Sequence, residues 1–168
     1  MYRTIVAHRI RTAWAHLDDR DYEYVLDMFA PEFTHRFVGD NAMGGARTSI
    51  DSQRQWFQRL FRLLPDILFT VDDVIVQGWP WRTRAVALVR TRLTAGGETF
   101  QNEFAQTLDI RWGRVTRVNV LEDTEKMARI LSRIADSGNE EAAAIQIVDA
   151  AKTADAIHPA RGRPSRSR

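Results

Sequence analysis

The stretch from Glu98 to Trp112, ETFQNEFAQTLDIRW, most constrains the fold because its apolar residues recur at every second position. Side chains of a β-strand alternate between the two faces of a sheet, so this period predicts a long strand with one buried face. The predicted buried face consists of Phe100, Asn102, Phe104, Gln106, Leu108, Ile110 and Trp112. A buried amide without hydrogen-bond partners costs about 1–3 kcal/mol. Either Asn102 and Gln106 are satisfied in a core network, or they face a cavity that holds water or a ligand.

Strands and helices are predicted on either side of this stretch. Strand periodicity predicts an antiparallel meander over 67–79, 82–94, 99–112 and 115–121, with Gly96-Gly97 forming one of its turns. Helical stripes predict helices over 2–17, from an Asp21 N-cap to Ala30-Pro31, from Ser49 or Asp51 to Pro65, over 125–134 and over the Ala-rich 140–156. A short strand over 33–38 and a loop over 39–47 separate the second helix from the third.

This order of elements predicts an α+β fold, in which the helices pack on the concave face of a curved antiparallel sheet. A strongly bent sheet that helices close on one side forms a cone with a mouth. The length of 168 residues favours one domain with a sizeable core. We expect that domain to span residues 1–135, followed by a helical extension over 136–158 and a basic, disordered tail over 159–168.

Composition excludes several kinds of site. The chain has no cysteine, which excludes disulfides, zinc–thiolate sites and thiol catalysis. The four histidines fall on separate predicted elements, so no metal site is expected. Phosphate loops, Gly-x-Ser-x-Gly and dinucleotide-binding motifs are also missing from the sequence.

Charge and hydropathy limit the expected partners. No apolar run approaches the roughly 18 residues that a membrane-spanning helix needs, and the N-terminus lacks the features of a secretory signal. We therefore expect a cytoplasmic protein with no membrane partner. The net charge is +2, but the segment after Pro159 carries four arginines and no acid. Because a nucleic-acid-binding domain is itself basic, nucleic acid is not an expected partner.

Four segments carry a resemblance to a known family. They are DRDYEYVLDMFAPEFTHRFVGD (19–40), the Gly-Gly loop before the Trp56 helix, TRLTAGGETFQNEF (91–104) and LDIRWGRVTRVNVLED (108–123). Over about residues 3–135 the chain resembles the SnoaL-like, polyketide-cyclase-like branch of the nuclear-transport-factor-2-like superfamily. The resemblance implies a mostly apolar pocket inside the cone and a homodimer packed through the outer sheet face. It also implies isomerase, epoxide hydrolase, dehydratase or cyclase chemistry that uses a pocket carboxylate and needs no cofactor.

His35 is the first candidate for proton transfer. The resemblance implies three positions at which relatives keep an acid. In this chain the first falls near Phe37, and the other two hold Gln106 and Asn119. An amide cannot accept a proton at neutral pH, so neither Gln106 nor Asn119 can replace the acid. His35 shares a predicted strand face with Phe37, and a histidine pKa near physiological pH suits general acid–base catalysis. The alternative is a core histidine that is hydrogen-bonded to a neighbour.

Other residues are candidates for binding a substrate. Asn102, Gln106 and Asn119 could orient a ligand carbonyl or a water, or they could form an internal amide network. Phe37, Phe104 and Trp79 are the expected apolar contacts, and Trp79 could instead pack at a dimer interface.

Glu122 and Asp123 are expected to be helix-capping charges at the end of the sheet. The less favoured alternative is that Glu122 turns inward and supplies the missing base.

Two functions remain open at this point. The first is a small-molecule enzyme of isomerase, cyclase, dehydratase or hydrolase type, acting on an apolar substrate that bears a carbonyl or hydroxyl group. The second is a non-catalytic ligand-binding or dimerisation module of the same fold, because a fold does not by itself determine a function.

Overall fold

The computed structural model describes residues 1–149. The helices are α1 (Tyr2–Asp18), α2 (Tyr22–Leu26), α3 (Ile50–Leu63) and α4 (Thr124–Asp136). The strands are β1 (Phe29–Phe37), β2 (Gly45–Arg47), β3 (Leu68–Trp79), β4 (Arg82–Ala95), β5 (Glu98–Arg111) and β6 (Arg114–Glu122). A 3-10 turn covers Glu140–Ala143. Among these residues, no helix has both the length and the apolar character that crossing a bilayer would require.

The six strands form one curved, unclosed sheet in the order β2-β1-β6-β5-β4-β3. Every neighbouring pair is antiparallel except β1 and β6, which run parallel. Register shifts interrupt the ladders within β1–β6, β3–β4 and β5–β6, and such bulges increase the local twist and bend of a sheet. The expected α+β fold is confirmed, and the parallel pair joins β1 to the edge of the meander, a pairing that the meander alone did not predict.

The alternation of inward- and outward-facing side chains along the strands determines which residues form the core. On β5 the residues from Phe100 to Ile110 on the predicted face are buried or partly buried. Helix α1 covers this concave face, with the Trp14 ring packed between Phe69 and Phe104 at centroid distances of 5.0 and 5.5 Å. Trp112 was expected on the same face, but it lies in the β5–β6 turn with a φ of 50° and is exposed.

Side-chain caps begin three of the helices. Asp21 accepts a hydrogen bond from the backbone N–H of Tyr24, as predicted for the start of α2. Ser49 caps α3 and Asp123 caps α4 in the same way.

Helix α2 is shorter than expected. It ends at Leu26, because the chain already extends into β1 at Phe29. Pro31 therefore lies within a strand and does not terminate a helix. The register of β1 against β6 shifts between Phe29 and Thr34, so the proline, which has no N–H, falls where the ladder is interrupted.

Two further segments differ from the expectations. The loop over 39–47 contains the short strand β2, which pairs with the end of β1. Over the described part of 140–156, the expected helix is replaced by the 3-10 turn and a segment without regular secondary structure, Ile145–Asp149, which we call the strap. The strap runs beside β2, where a Cβ atom on Gly45 would lie 2.6 Å from Val148. The rest of the expected extension and the basic tail lie outside the described residues.

Candidate active-site cavity

A cavity of about 90 Å³ lies between the concave face of the sheet and helices α1 and α3. Its polar lining residues are His35, Thr91, Gln106 and Glu122. The rest of its wall is apolar and includes Trp14, Met28, Phe29, Phe37, Trp56, Phe57, Phe69, Phe104, Leu108, Val118, Val120 and Met127. A concave, apolar space with a few polar groups is the usual form of a small-molecule site.

Glu122 supplies the carboxyl group of this cavity. It is the last residue of β6, and it faces inward because it alternates with Val118 and Val120, which also line the cavity. Its Oε2 accepts a hydrogen bond from Asn102 Nδ2 at 3.3 Å, whereas its buried Oε1 has no partner among the described residues. Burial first, and the neighbouring Asp123 charge second, raise the pKa of Glu122 to about 8. The carboxyl is therefore mostly protonated at neutral pH and can donate from Oε1.

His35 lies on the wall formed by β1. Its Nδ1 is 3.1 Å from Arg47 Nη2, and since a guanidinium can only donate, Nδ1 is the acceptor. The ring proton is therefore on Nε2, which leaves one N–H donor and no free acceptor. Burial first, and the Arg47 cation second, hold the pKa of His35 well below its ordinary value. The expected pKa near physiological pH is wrong, because the ring is fully buried and lies beside a buried cation.

Arg47 is fully buried at the end of β2 and has no carboxylate in hydrogen-bond contact among the described residues. Its guanidinium lies 5.0 Å from the Trp56 ring centroid and donates to neutral oxygens: Gln53 Oε1 and the carbonyls of Gly44, Gly45 and Ile147. Burial lowers the pKa of Arg47 to about 9, so the cation persists at neutral pH. Its positive charge adds to burial in keeping the neighbouring imidazole neutral.

The structure brings four of the seven predicted site residues to the cavity wall: His35, Phe37, Phe104 and Gln106. Asn102 is buried beside the cavity and acts on Glu122 through the hydrogen bond described above. Its own Oδ1 accepts from the backbone N–H of Glu103.

Asn119 and Trp79 do not line this cavity. Asn119 lies between two inward-facing valines of β6, so it faces outward, where Nδ2 is 3.5 Å from Thr107 Oγ1. Trp79 is exposed at the end of β3 that is remote from Phe69, the cavity residue of that strand. The expectation that both residues contact a substrate in the cavity is not supported by their positions.

Two residues that matter were missed or undervalued from the sequence. Glu122 was expected mainly as a capping charge, although its even spacing from Val118 and Val120 indicates the cavity face. No sequence pattern predicted the burial of Arg47, because it lies in a glycine-rich stretch that is typical of an exposed loop. Within residues 1–149, no cluster of three or more His, Cys, Asp or Glu side chains is arranged to hold a metal ion.

Three solved structures share this architecture. TerC, crystallised with polyporic acid, superposes with a TM-score of 0.64 at 21% identity, covering 72% of this chain and 93% of TerC. An NTF2-like protein of unknown function from Burkholderia pseudomallei gives 0.63 at 22% identity, covering 72% and 92% of the two chains. A putative SnoaL-like polyketide cyclase from Jannaschia sp. gives 0.58 at 15% identity, covering 77% and 93%. At such low identities these similarities show the fold alone.

No curated protein matches the chain significantly. The family model described as the SnoaL-like domain matches residues 10–118, which include α2, β1, α3 and most of the sheet. The chain therefore belongs to the SnoaL-like domain family.

Proposed function

We propose that this chain is an enzyme that transfers a proton on a small, mostly apolar molecule bearing a carbonyl or hydroxyl group. The observation that carries the proposal is Glu122, a cavity carboxyl with an unpartnered Oε1 and a pKa raised to about 8. A perturbed carboxyl in an apolar cavity is a common property of catalytic acids and bases. The family, and a structural relative described as a polyketide cyclase, support isomerase, cyclase, dehydratase or hydrolase chemistry.

Each polar residue in or beside the cavity would have a separate role in the reaction. Glu122 donates a proton from Oε1 in its neutral form and accepts one in its ionised form. Asn102 holds Oε2, so that Oε1 is the oxygen that exchanges the proton. His35 donates a hydrogen bond from Nε2 and polarises a ligand oxygen, a role that a neutral imidazole can perform without changing its protonation state. Gln106 orients the ligand through its amide. This chemistry uses side chains alone and needs no cofactor.

Proton exchange at carbon provides a direct experiment. We would incubate the protein with cyclopentanone in D2O and follow deuterium incorporation beside the carbonyl by NMR. The exchange rate should rise with pH and level off above about pH 8, because the ionised form of Glu122 is the base. Glu122→Gln should reduce the catalysed exchange by about 10²–10⁴-fold, the usual contribution of a positioned general base.

Glu103→Gln is the matched control, because Glu103 lies on β5 next to Asn102 but its side chain is exposed. It should exchange like the unaltered protein. Exchange that survives Glu122→Gln would show that Glu122 is not the base.

A second candidate function is a ligand-binding module without catalysis. The cavity of about 90 Å³ is smaller than the roughly 150 Å³ that holds benzene, so a ring-sized ligand requires wall side chains such as Met127 to move. Such a space can hold an apolar ligand without any reaction. In that case, cyclopentanone would raise the melting temperature of the protein and of Glu122→Gln equally, with no deuterium exchange in either.

We also propose that the protein forms a homodimer through the outer face of the sheet. Leu88, Ala105 and Leu121 lie in line across β4, β5 and β6, because Leu88 is paired with Ala105 and Ala105 with Leu121. Both leucines are exposed in the single chain. Two ion pairs lie on either side of this row, one between Arg90 of β4 and Asp72 of β3, the other between Arg84 of β4 and Asp109 of β5. An apolar centre with a charged rim is the usual composition of a protein–protein interface.

A further inference from the structure

Three tryptophans are exposed together at one end of the sheet. Trp79 ends β3, Trp81 lies in the β3–β4 turn, and Trp112 begins the β5–β6 turn beside it. Their exposed fractions are 62%, 54% and 73%. The rings of Trp79 and Trp81 stack at a centroid distance of 5.8 Å, and Trp112 lies 6.2 Å from Trp81. We call these three residues the tryptophan cluster.

Backbone and side-chain hydrogen bonds hold the tryptophan cluster in place. The N–H of Trp112 donates to the carbonyl of Pro80 at 2.6 Å and so joins the two turns. The Thr83 hydroxyl donates to the carbonyl of Trp79 at 2.7 Å, and the Tyr2 hydroxyl of α1 lies 2.6 Å from Thr83 Oγ1. Since Thr83 has one hydroxyl proton, Tyr2 is the donor in the second contact. The cluster is thus a fixed platform and not three independent side chains.

The fold of the single chain does not explain why tryptophan occupies position 112. Trp112 has a φ of 50° and Gly113 a φ of 78°, the positive values that a two-residue turn of type I′ requires at both positions. Asn, Asp and Gly are the residues that favour this conformation. A tryptophan here strains the backbone and buries little of its ring, so its benefit must come from something that the single chain does not contain.

Several arginines lie next to the two turns that carry the tryptophan cluster. Arg82 and Arg84 follow the first turn, while Arg111 and Arg114 flank the second. Arg9 of α1 also lies close, because a Cβ atom on Gly113 would be 3.4 Å from its Nη1. The acid of these turn segments, Asp109, is paired with Arg84 at 3.0 Å. The described chain therefore presents an apolar aromatic platform within a clearly positive rim.

We propose that the tryptophan cluster and its arginines dock on the surface of an anionic lipid bilayer. Tryptophan favours the bilayer interface because its ring is apolar while its N–H remains hydrogen-bonded to water or headgroups. Arginines around such a ring contact lipid phosphates. Single-stranded nucleic acid also combines aromatic stacking with positive charge, but it uses a groove that tracks the strand, whereas this platform occupies the tips of two adjacent turns. A peripheral contact needs no spanning helix, so it is compatible with the lack of a long apolar run.

Vesicle binding tests this surface. We would mix the full chain with vesicles of phosphatidylcholine alone and with vesicles that also contain phosphatidylglycerol, and measure co-sedimentation and tryptophan emission. Only the anionic vesicles should sediment the protein and shift its emission to shorter wavelength. Added salt should reverse part of the binding, because exposed charges are screened.

Trp112→Asn separates membrane binding from folding. Asparagine suits a positive φ, so the variant should melt at the same temperature as the unaltered chain or higher. Its partition onto anionic vesicles should fall about tenfold, because membrane affinity depends on inserted apolar area. Arg82→Gln should weaken the partition about fivefold, the usual effect of one basic residue near an anionic surface. Leu68→Ser is the matched control, since Leu68 is 53% exposed at the opposite end of β3 and should leave the partition unchanged.

Three results would overturn the proposal. The first is that the unaltered chain stays in the supernatant with phosphatidylglycerol vesicles. The second is that Trp112→Asn sediments as well as the unaltered chain. The third is that an oligothymidylate quenches the emission of the unaltered chain but not of Trp112→Asn, while vesicles have no effect, which would assign the platform to single-stranded nucleic acid.

Discussion

At the scale of single residues, two buried ionisable groups determine the hydrogen-bonding properties of the cavity. Burial disfavours the charged form of both. Glu122 is a carboxyl that becomes neutral, and Arg47 is a cation that stays charged because carbonyl oxygens, Gln53 and the Trp56 ring surround it. The cation makes His35 a hydrogen-bond donor, and the neutral carboxyl can also donate. An apolar cavity with two such donors favours a ligand that presents oxygen acceptors.

Glu122 should make the stability of the protein depend on pH. The pKa of Glu122 is 4.5 in the unfolded chain and about 8 in the folded chain, so the carboxyl is protonated in both states below about pH 4.5. Between these values the folded chain keeps a proton that the unfolded chain releases, and the free energy of unfolding therefore falls as pH rises. Glu122→Gln should remove this slope and raise the free energy of unfolding by a few kcal/mol at about pH 9, but change it little at about pH 4.

Urea denaturation across that pH range measures the effect. Glu103→Gln serves as the control, and it should follow the unaltered protein. A parallel pH profile for Glu122→Gln and the unaltered chain would contradict the assigned shift.

Arg47 should fix both the fold around β2 and the tautomer of His35. Arg47→Met leaves His35 Nδ1 and the carbonyls of Gly44 and Ile147 without their donor, so we expect a loss of about 3 kcal/mol in the free energy of unfolding. Without the cation, the pKa of His35 should rise toward its ordinary value but stay below it, because the ring remains buried. Nitrogen-15 NMR of the imidazole reports the tautomer and the pKa, and urea denaturation reports the stability.

The partly exposed Arg54, which is paired with the exposed Glu23, gives a comparison. Arg54→Met should leave stability and the His35 signal unchanged, since exposed ion pairs contribute little. A His35 that titrates near its ordinary pKa in the unaltered protein would contradict the hydrogen bond to Arg47.

At the scale of elements, the strap completes the start of α3. The Asp149 carboxylate accepts hydrogen bonds from the backbone N–H of Ser49 at 3.1 Å and from the Ser52 hydroxyl at 2.9 Å, and it also binds Thr48. It therefore satisfies N–H groups at a helix N-terminus, where a negative charge is favourable. The strap thereby joins the C-terminal segment to α3 and, through the carbonyl of Ile147, to Arg47.

Loss of the Asp149 carboxylate should loosen this junction. Burial would raise the pKa of Asp149, but the hydrogen bonds from Thr48, Ser49 and Ser52 outweigh it and lower the pKa below 3.8. The carboxylate therefore stabilises the fold above that value, and this contribution disappears as pH falls through the lowered pKa. Asp149→Asn should reduce the free energy of unfolding by about 1–2 kcal/mol near pH 7 and by much less near pH 2.

Thermal melts at the two pH values check this prediction. Asp51→Asn is the control on the first turn of the same helix, because Asp51 is exposed and its carboxylate does not contact the strap. An equal loss for both variants would mean that a general charge effect, and not the Asp149 contacts, stabilises the helix start.

How far the sequence predicts these elements depends on the range of the interactions involved. The faces of β5 and the Asp21 cap follow from neighbours in the chain, so they were predictable. His35, Phe37, Phe104 and Gln106 reached the cavity wall by the same alternation. The strap was not predictable, because the Ala-rich sequence on either side of it favours a helix, whereas Arg47 and Arg59 bind the carbonyls of Ile147 and Ile145. The parallel pairing of β1 with β6 and the cation beside His35 also depend on contacts between distant parts of the chain.

At the scale of the whole molecule, a substitution on the outer face of the sheet tests whether the protein forms the proposed homodimer. The row of Leu88, Ala105 and Leu121 faces away from the cavity, so a charge placed there should not disturb the core. Leu121→Lys introduces one positive charge per subunit at the centre of the proposed interface, where two copies would meet without a partner charge. We expect this variant to sediment as a monomer at concentrations at which the unaltered chain is a dimer, and to retain its melting profile at low concentration.

Leu68→Lys makes a comparable change at an exposed leucine, the first residue of β3 and outside the row, and should leave the dimer intact. A dimer that persists in Leu121→Lys would exclude the outer face.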